Sequence, residues 1–304
     1  IQFDDGTVWT LDTVEDMILA AAPTDGPDEI RGFRSDDTLD GGLGADTLIG
    51  GDGSDTYVIR PGTGWDVIYD SGLWDNDRVH LADVTPEEIT LRVDASSPAT
   101  LFVDFADGST VRIVDALQGS NGHGIEEFSF DNGTLWTTAD MRARIVSDKA
   151  AAGINPLIGF NQPDTLEATV DGQLLIGGDA SDTYVVRADS GFVTIEDNGL
   201  WDVDVLLLPD YLPGEVSFHH LPSYPQDLFI AFGAWDGEGA NPTNGVRLVN
   251  GLTGNTDDTI EVIRFKDDSE KGVVELRETV LAAKTTIGDD HILGFADEDR
   301  LEGG

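Results

Sequence analysis

The chain contains no cysteine, few basic residues and no apolar run long enough to span a membrane. Without cysteine, no disulfide stabilises the fold and no thiol serves as nucleophile or metal ligand. Only 17 basic residues stand against 59 acidic ones, so the 304-residue chain has a formal net charge of -42. Such a charge repels nucleic acids and anionic lipid head groups. We therefore expect cations as partners, no nucleic acid and no membrane span.

Catalytic motifs are also missing from the sequence. It has no His-Glu-x-x-His zinc-protease motif and no Gly-x-Ser-x-Gly nucleophile elbow. The adjacent pair His219 and His220 lies in a segment that alternates like a strand, so the two side chains point to opposite faces. Glycine-rich turns are present, but they lack the lysine of a phosphate-binding loop. We predict that the chain is not an enzyme.

The strongest positive feature is an internal repeat. A shift of 127 residues carries "IGGDGSDTYVI" at 49–59 onto "IGGDASDTYVV" at 176–186. The same shift carries "DSGLWDND" at 70–77 onto "DNGLWDVD" at 197–204. The chain is therefore built from two copies of one module.

The repeat also predicts the domain organisation. Its register changes by eight residues within a loop that we interpret as an insertion, and the last residues match the start of the first module. We expect the chain to be a window from a longer tandem array. The predicted parts are the tail of a preceding module at 1–22, a first module at 23–149, a second module with degenerate repeats at 150–284 and a loop insertion near 233–245, and the start of a third module at 285–304.

Each module begins with glycine- and aspartate-rich nonapeptides, most regular in "GGLGADTLI" and "GGDGSDTYV" at 41–58. Six residues form a turn and three form a short strand. Two such units complete one coil of a flattened parallel roll, so residues 18 apart stack at the strand spacing of about 4.8 Å. Glycine allows the positive φ angles of these turns. Stacked carboxylate and carbonyl oxygens match the ligands of calcium better than those of magnesium.

This pattern resembles the RTX (repeats-in-toxin) family of haemolysin-type calcium-binding nonapeptide repeats. The remainder of each module resembles the haemolysin-type calcium-binding related region that accompanies such repeats. It includes alternating strand segments, a hairpin with a tight Asn132-Gly133 turn, and a helix near 10–20, 137–147 and 274–284. The predicted fold is mainly β, with tandem modules that each contain a short calcium-binding parallel β-roll, additional β-strands, a hairpin and one short helix.

The resemblance implies calcium ligands at the sixth position of each nonapeptide. In the first module these acids are nine residues apart, and a further acid follows after eleven. We expect Asp28 to pair with Asp46, Asp37 with Asp55, and Asp46 with Asp66. The first module should therefore bind two or three calcium ions.

The second module departs from the pattern at three positions. Asn155, Gln173 and Val193 replace acids of the first module, whereas Asp164 and Asp182 remain. We therefore predict one calcium ion in this module, bound between Asp164 and Asp182.

Four further acids are assigned from their context. We interpret Asp77 and Asp204, in "DND" and "DVD", as turn residues. Asp290 and Asp299 fit the repeat pattern near the end of the chain, where we expect only half-built sites.

The resemblance also implies a location and a role. Proteins with such repeats commonly leave the cell unfolded by type I secretion and fold on extracellular calcium, so we expect a secreted, extracellular or cell-surface protein. The repetition favours a structural or adhesive array, such as a stalk, surface layer or matrix fibre, with neighbouring modules and self-association as partners. The alternative is a secretion-and-folding region of a larger RTX toxin or enzyme. A third hypothesis is glycan binding by Trp235 and Asp236 in the inserted loop.

Overall fold

The structure of the chain is a computed structural model. It describes residues 1–72, 75–94, 96–117, 124–197, 199, 203–233, 235, 241–253, 260–272, 275, 276 and 280. The chain divides into two compact units, Ile1–Ile145 and Val146–Gly304. The division falls inside a helix, a few residues before the predicted module boundary at 149. The module boundaries themselves stay a prediction.

The first unit contains one helix, eleven strands and the beginning of a second helix among its described residues. Its elements are α1 (Leu11–Ala20), β1 (Glu29–Arg31), β2 (Thr38–Asp40), β3 (Thr47–Ile49), β4 (Thr56–Ile59), β5 (Trp65–Tyr69), β6 (Arg78–Leu81), β7 (Ile89–Asp94), β8 (Ser97–Phe105), β9 (Thr110–Ile113), β10 (Glu127–Phe130), β11 (Leu135–Thr137) and α2 (Thr138–Ala151).

Successive nonapeptide strands of the first unit alternate between two sheets. One sheet has the order β1-β3-β5-β9-β8-β7 and the other β11-β10-β6-β4-β2. Glu29 pairs in parallel with Thr47, and Thr38 pairs with Thr56, so stacked residues are 18 apart as the spacing predicts. The parallel roll then continues beyond the nonapeptides, because β9 pairs with β5 and β10 pairs with β6. This arrangement confirms the predicted β-roll.

The second unit repeats this architecture. Its sheets have the orders β12-β14-β16-β20-β19-β18 and β13-β15-β17-β21-β22. Its strands are β12 (Leu157–Ile158), β13 (Thr165–Glu167), β14 (Leu174–Ile176), β15 (Thr183–Val185), β16 (Phe192–Glu196), β17 (Val205–Leu208), β18 (Val216–Leu221), β19 (Tyr224–Phe232), β20 (Gly245–Leu248), β21 (Val262–Phe265) and β22 (Glu270–Gly272), with a short 3-10 helix at Pro213–Glu215.

The core of each roll is built from the apolar residue in the middle of each nonapeptide strand. Apart from Val185, which is buried beside Tyr184, the strand neighbours of these side chains are exposed or half-buried, because successive residues of a strand point to opposite faces. All of them are at most 3% exposed: Ile30, Leu39, Leu48 and Tyr57 in the first unit, and Leu157, Leu166, Leu175 and Tyr184 in the second.

Capping residues fix the helices where the sequence predicts them. The Thr10 side chain accepts a hydrogen bond from the Thr13 N–H at the start of α1. At α2, Thr137 and Asp140 each bond the other's backbone N–H. For the third predicted helix, residues 275, 276 and 280 are helical, and the rest lies outside the described residues.

The predicted hairpin turn is also present. β10 pairs antiparallel with β11, and Gly133 takes a φ of +85° in the turn between them. Residues 234 and 236–240 of the inserted loop, and the predicted start of a third module, lie outside the described residues. No helix among the residues that the structure describes has both the length and the apolar character needed to cross a membrane.

Candidate metal centre

Aspartates lie at or next to the starts of the roll strands and form two columns in the first unit. The first column contains Asp28, Asp46 and Asp66, at or next to the start of β1, β3 and β5. The second column contains Asp37, Asp55 and Asp77, each directly before β2, β4 and β6. Parallel pairing of the strands stacks the members of each column, as the nine-residue spacing predicts.

Within each column, one carboxylate oxygen binds the backbone of the preceding coil. Asp46 Oδ1 accepts a hydrogen bond from the Asp28 N–H at 2.9 Å, and Asp66 Oδ1 accepts one from the Asp46 N–H at 3.0 Å. In the second column, Oδ1 of Asp55 and Oδ1 of Asp77 accept from the preceding aspartate at 2.8 Å. These bonds orient the carboxylates along the columns.

The other carboxylate oxygen is satisfied only at three positions. Asp28 Oδ2 accepts from the Thr24 N–H at 2.7 Å, and Asp66 Oδ2 accepts from the Thr63 hydroxyl at 2.8 Å. Oδ2 of Asp37 accepts from a backbone N–H of its own turn. In these two columns, three buried oxygens make no hydrogen bond with any described residue: Oδ2 of Asp46, Asp55 and Asp77.

A bound cation would pair with these buried carboxylate oxygens, which lack a hydrogen-bond donor. A buried charge is costly unless it is paired or binds a metal. Calcium prefers carboxylate and carbonyl oxygens. The residues present therefore fit calcium, which would be held by the acids of the two columns together with backbone oxygens of the turns.

Glycines bring the backbone close to these oxygens. A Cβ added at Gly50 would lie 2.2 Å from Asp55 Oδ2, and one at Gly41 would lie 2.5 Å from Asp46 Oδ2. At Gly44, with a φ of +142°, a Cβ would lie 2.6 Å from the carbonyl oxygen of Gly26 one coil earlier. Larger residues would therefore push the oxygens apart.

Burial dominates the electrostatics of the second column. It raises the pKa of Asp55 to about 7 and the pKa of Asp77 to about 8, and the charges of neighbouring acids add to both shifts. Burial also raises the pKa of Asp46 and of Asp66. The metal-free columns therefore disfavour their own charged form and favour binding of a proton or a cation.

A third acid joins the second column. Asp55, Asp70 and Asp77 each offer an oxygen, and these oxygens all lie within 4.8 Å of one another. We call these three residues the terminal cluster. Asp70 Oδ2 accepts a hydrogen bond from the Tyr57 hydroxyl at 2.6 Å, and its Oδ1 accepts from the Gly72 N–H at 2.9 Å.

The second unit keeps one column. Asp182 Oδ1 accepts from the Asp164 N–H at 2.8 Å, and Asp204 Oδ1 accepts from the Asp182 N–H at 2.7 Å. Asp182, Asp197 and Asp204 are all buried, and one oxygen of each lies within 4.8 Å of the others. They form a second terminal cluster, in which the Tyr184 hydroxyl donates to Asp197 at 2.7 Å.

The other column of the second unit is held by amides. The fully buried Gln173 accepts from the Thr169 N–H at 2.9 Å and donates to the Ile154 carbonyl at 2.8 Å. Asn155 Oδ1 accepts from the Leu174 N–H at 3.0 Å. An amide has both donor and acceptor groups, so these side chains satisfy the turn without a cation.

The structure places the predicted ligands in the columns, and their binding of calcium stays a prediction. Sequence reasoning missed Asp70 and Asp197 and interpreted Asp77 and Asp204 as turn residues. The internal repeat is the signal that could have found them, because the 127-residue shift carries Asp70 onto Asp197 and Asp77 onto Asp204.

The remaining assigned residues lie elsewhere. Asp290, Asp299 and Asp236 are outside the described residues. Trp235 packs with its ring centroid 4.8 Å from that of His219 and 6.0 Å from that of Phe229. Its ring therefore contacts the unit's own side chains, which weakens the glycan-binding hypothesis.

Fold and site together define a β-roll repeat protein whose turns carry stacked acids for metal binding. A family model, the RTX calcium-binding nonapeptide repeat in four copies, matches residues 24–57 and 284–304. The chain therefore contains RTX calcium-binding nonapeptide repeats. The match includes Asp55 but neither Asp70 nor Asp77. No curated protein matches the chain.

Proposed function

We propose that the chain is a secreted RTX segment that folds on binding extracellular calcium and serves as a non-enzymatic structural or adhesive array. The observation that carries the proposal is the set of buried carboxylate oxygens without a donor among the described residues of the first unit, at Asp46, Asp55, Asp75 and Asp77. Calcium supplies the charge that these oxygens lack.

The energetics favour calcium as a folding switch. Extracellular modules bind calcium with dissociation constants of about 0.1 to 1 mM. At ten times that constant, each site adds roughly 1.4 kcal/mol to the folded state. Three or four sites would then contribute near 5 kcal/mol, which is comparable to the stability of a small domain.

This switch is compatible with export. Inside the cell, calcium is too scarce to fill such sites, and a net charge of -42 keeps the chain loose through self-repulsion. A loose chain suits a one-step type I secretion channel. Outside the cell, calcium neutralises the columns and the rolls form.

The repeated architecture supports the array. Two units of the same strand order follow each other in one chain. In repeat proteins, the number of modules sets the length of the assembly. The alternative is that the segment serves the secretion and folding of a larger toxin or enzyme. The sequence of the full-length parent decides between the two: further copies of this module support the array, whereas a catalytic or pore-forming region supports the alternative.

A calorimetric calcium titration of the whole chain, with circular dichroism in parallel and magnesium as the control ion, tests the calcium switch. We expect three or more calcium ions, strand signal that increases on binding, and a weak response to magnesium. Glu87→Gln is a matched control, because it removes one exposed charge away from the columns. Absence of binding at millimolar calcium would contradict the proposal.

A further inference from the structure

We propose that the terminal cluster Asp55–Asp70–Asp77, and its copy Asp182–Asp197–Asp204, is a calcium site in its own right at the end of the nonapeptide stack. Two of the three acids in each copy lie outside the nonapeptides, and the second copy lies wholly outside the residues that the family model matches. The inference rests on the proposed calcium-dependent function and extends it to a site that each module carries.

The spacing of the oxygens fits one ion. The oxygens of the three acids lie within 4.8 Å of one another. Calcium binds oxygen at 2.3–2.6 Å, so two ligands on opposite sides of the ion are about 4.6 to 5.2 Å apart. A single calcium ion therefore reaches all three carboxylates with little movement.

The first cluster contains carboxylates that need a positive charge. Asp55 and Asp77 are completely buried, and Oδ2 of each makes no hydrogen bond with any described residue. No basic side chain of the described residues forms an ion pair with Asp55, Asp70 or Asp77. Uncompensated buried charges cost several kcal/mol each, so the cluster as it stands requires protons or a cation.

Two further acids increase the negative charge around the first cluster. Glu126 Oε2 accepts from the Asp77 N–H at 2.8 Å, and Asp75 Oδ2 accepts from the Gly53 N–H at 3.2 Å. Oδ1 of Asp75 is also buried without a hydrogen bond to any described residue. The surroundings therefore favour a divalent ion over a single proton.

A tyrosine orients the acid that comes from outside the repeats. Tyr57 occupies the strand position that Ile30, Leu39 and Leu48 occupy in the other repeats, and its hydroxyl donates to Asp70. Groups that hold a ligand in place in this way commonly tune metal affinity. Tyr57 is therefore a positioning residue, and a Cβ at Gly50 would lie 2.2 Å from its hydroxyl.

The second unit supports a functional role for this site, because it retains the cluster. Its first column is replaced by amides and valine, yet the terminal cluster is kept with all three aspartates and the tyrosine. The outer glutamate is kept too, because Glu261 Oε2 accepts from the Asp204 N–H at 2.7 Å. Within one chain, the nonapeptide column can be lost while the terminal cluster is retained.

Asparagine variants of the acids outside the repeats test the inference. We expect Asp70→Asn and Asp197→Asn each to lower the calcium stoichiometry of the whole chain by one ion in calorimetry, and the double variant to lower it by two. Tyr57→Phe should keep the stoichiometry and weaken one site about tenfold. Glu87→Gln should match the wild type.

The outcomes separate this inference from the proposed function. If the wild-type chain binds calcium and the double variant keeps its stoichiometry and affinity, the terminal clusters are not sites, and the proposed function stands. If the wild-type chain binds no calcium, both fall.

Hydrogen exchange on the wild-type chain provides a test that needs no variant to fold. Calcium should protect the amides of the turns around Gly50 and Gly72 in the first unit, and around Gly177 and Gly199 in the second. Calcium-dependent protection confined to the first unit would overturn the site in the second.

Discussion

At the scale of single residues, Asp46 and Gln173 occupy equivalent positions and solve the same problem differently. Asp46 leaves one buried oxygen without a donor among the described residues, whereas Gln173 bonds the backbone on both sides of its turn. The acid therefore depends on a cation and the amide does not. Replacing the acid by the amide therefore tests whether the acid depends on a cation.

Asp46→Gln should give the first column the backbone hydrogen bonds that Gln173 makes in the second unit. We expect the variant to bind at least one calcium ion fewer and, in EDTA, to shift the folding equilibrium toward the folded state by about 1 to 3 kcal/mol, because a buried unsatisfied oxygen is removed. Calorimetry measures the first effect and strand signal in circular dichroism measures the second, with Glu87→Gln as the control. A variant that shows no more strand signal in EDTA than the wild type would contradict this explanation of the column.

Gly50 is a second residue whose substitution should weaken calcium binding. Gly50→Ala would place a methyl group 2.2 Å from both Asp55 Oδ2 and the Tyr57 hydroxyl. We expect calcium affinity at this position to fall at least about tenfold, since the ligands must move apart. Gly214→Ala is the matched control, because a Cβ there meets nothing within 4 Å. Equal calcium affinity for the two variants would show that Gly50 has no role in the site.

At the scale of elements, much of the roll could be predicted and the strands that complete it could not. The nine-residue spacing fixes the pairing of β1 with β3 and β2 with β4, because turn and strand lengths repeat. The return of β9 beside β5 and of β10 beside β6 depends on contacts between distant segments, which periodicity does not encode. The repeat marks Asp70 as retained in both modules, but only the folded chain shows that it lies beside Asp55.

The second column gives the metal-free fold a defined dependence on pH. Burial raises the pKa of Asp55 to about 7 and that of Asp77 to about 8, from an ordinary value of 3.8. Between the ordinary pKa and the raised pKa, the folded state binds more protons than the unfolded state. The contribution of Asp55 and Asp77 to stability is therefore complete below about pH 4 and is lost as pH rises through 8. In EDTA, we expect the folded fraction, seen as strand signal in circular dichroism, to be lower at pH 8 than at pH 5.

Calcium should change this pH dependence, because it competes with protons for the same oxygens. Circular dichroism at the two pH values in EDTA, and urea unfolding at the same pH values in saturating calcium, make the comparison. A metal-free chain with as much strand signal at pH 8 as at pH 5, or more, would contradict the electrostatic explanation of the column.

At the scale of the whole molecule, two units of one design share a large negative charge. Calcium lowers that charge, and repeated units can present matching strand edges to other copies. We expect calcium-dependent self-association, seen as species larger than the monomer in sedimentation velocity at millimolar calcium and lost in EDTA. Sedimentation that shows only monomers at millimolar calcium would count against the array and favour a secretion-and-folding role.

Calcium-driven folding is tested by the hydrodynamic radius of the whole chain, followed together with circular dichroism during a calcium titration from EDTA. We expect an expanded chain with little strand signal in EDTA, and compaction with strand formation in the range of about 0.1 to 1 mM calcium. Magnesium at the same concentrations should leave the chain expanded. A chain that is already compact and rich in strands in EDTA, and unchanged by calcium, would contradict calcium-driven folding.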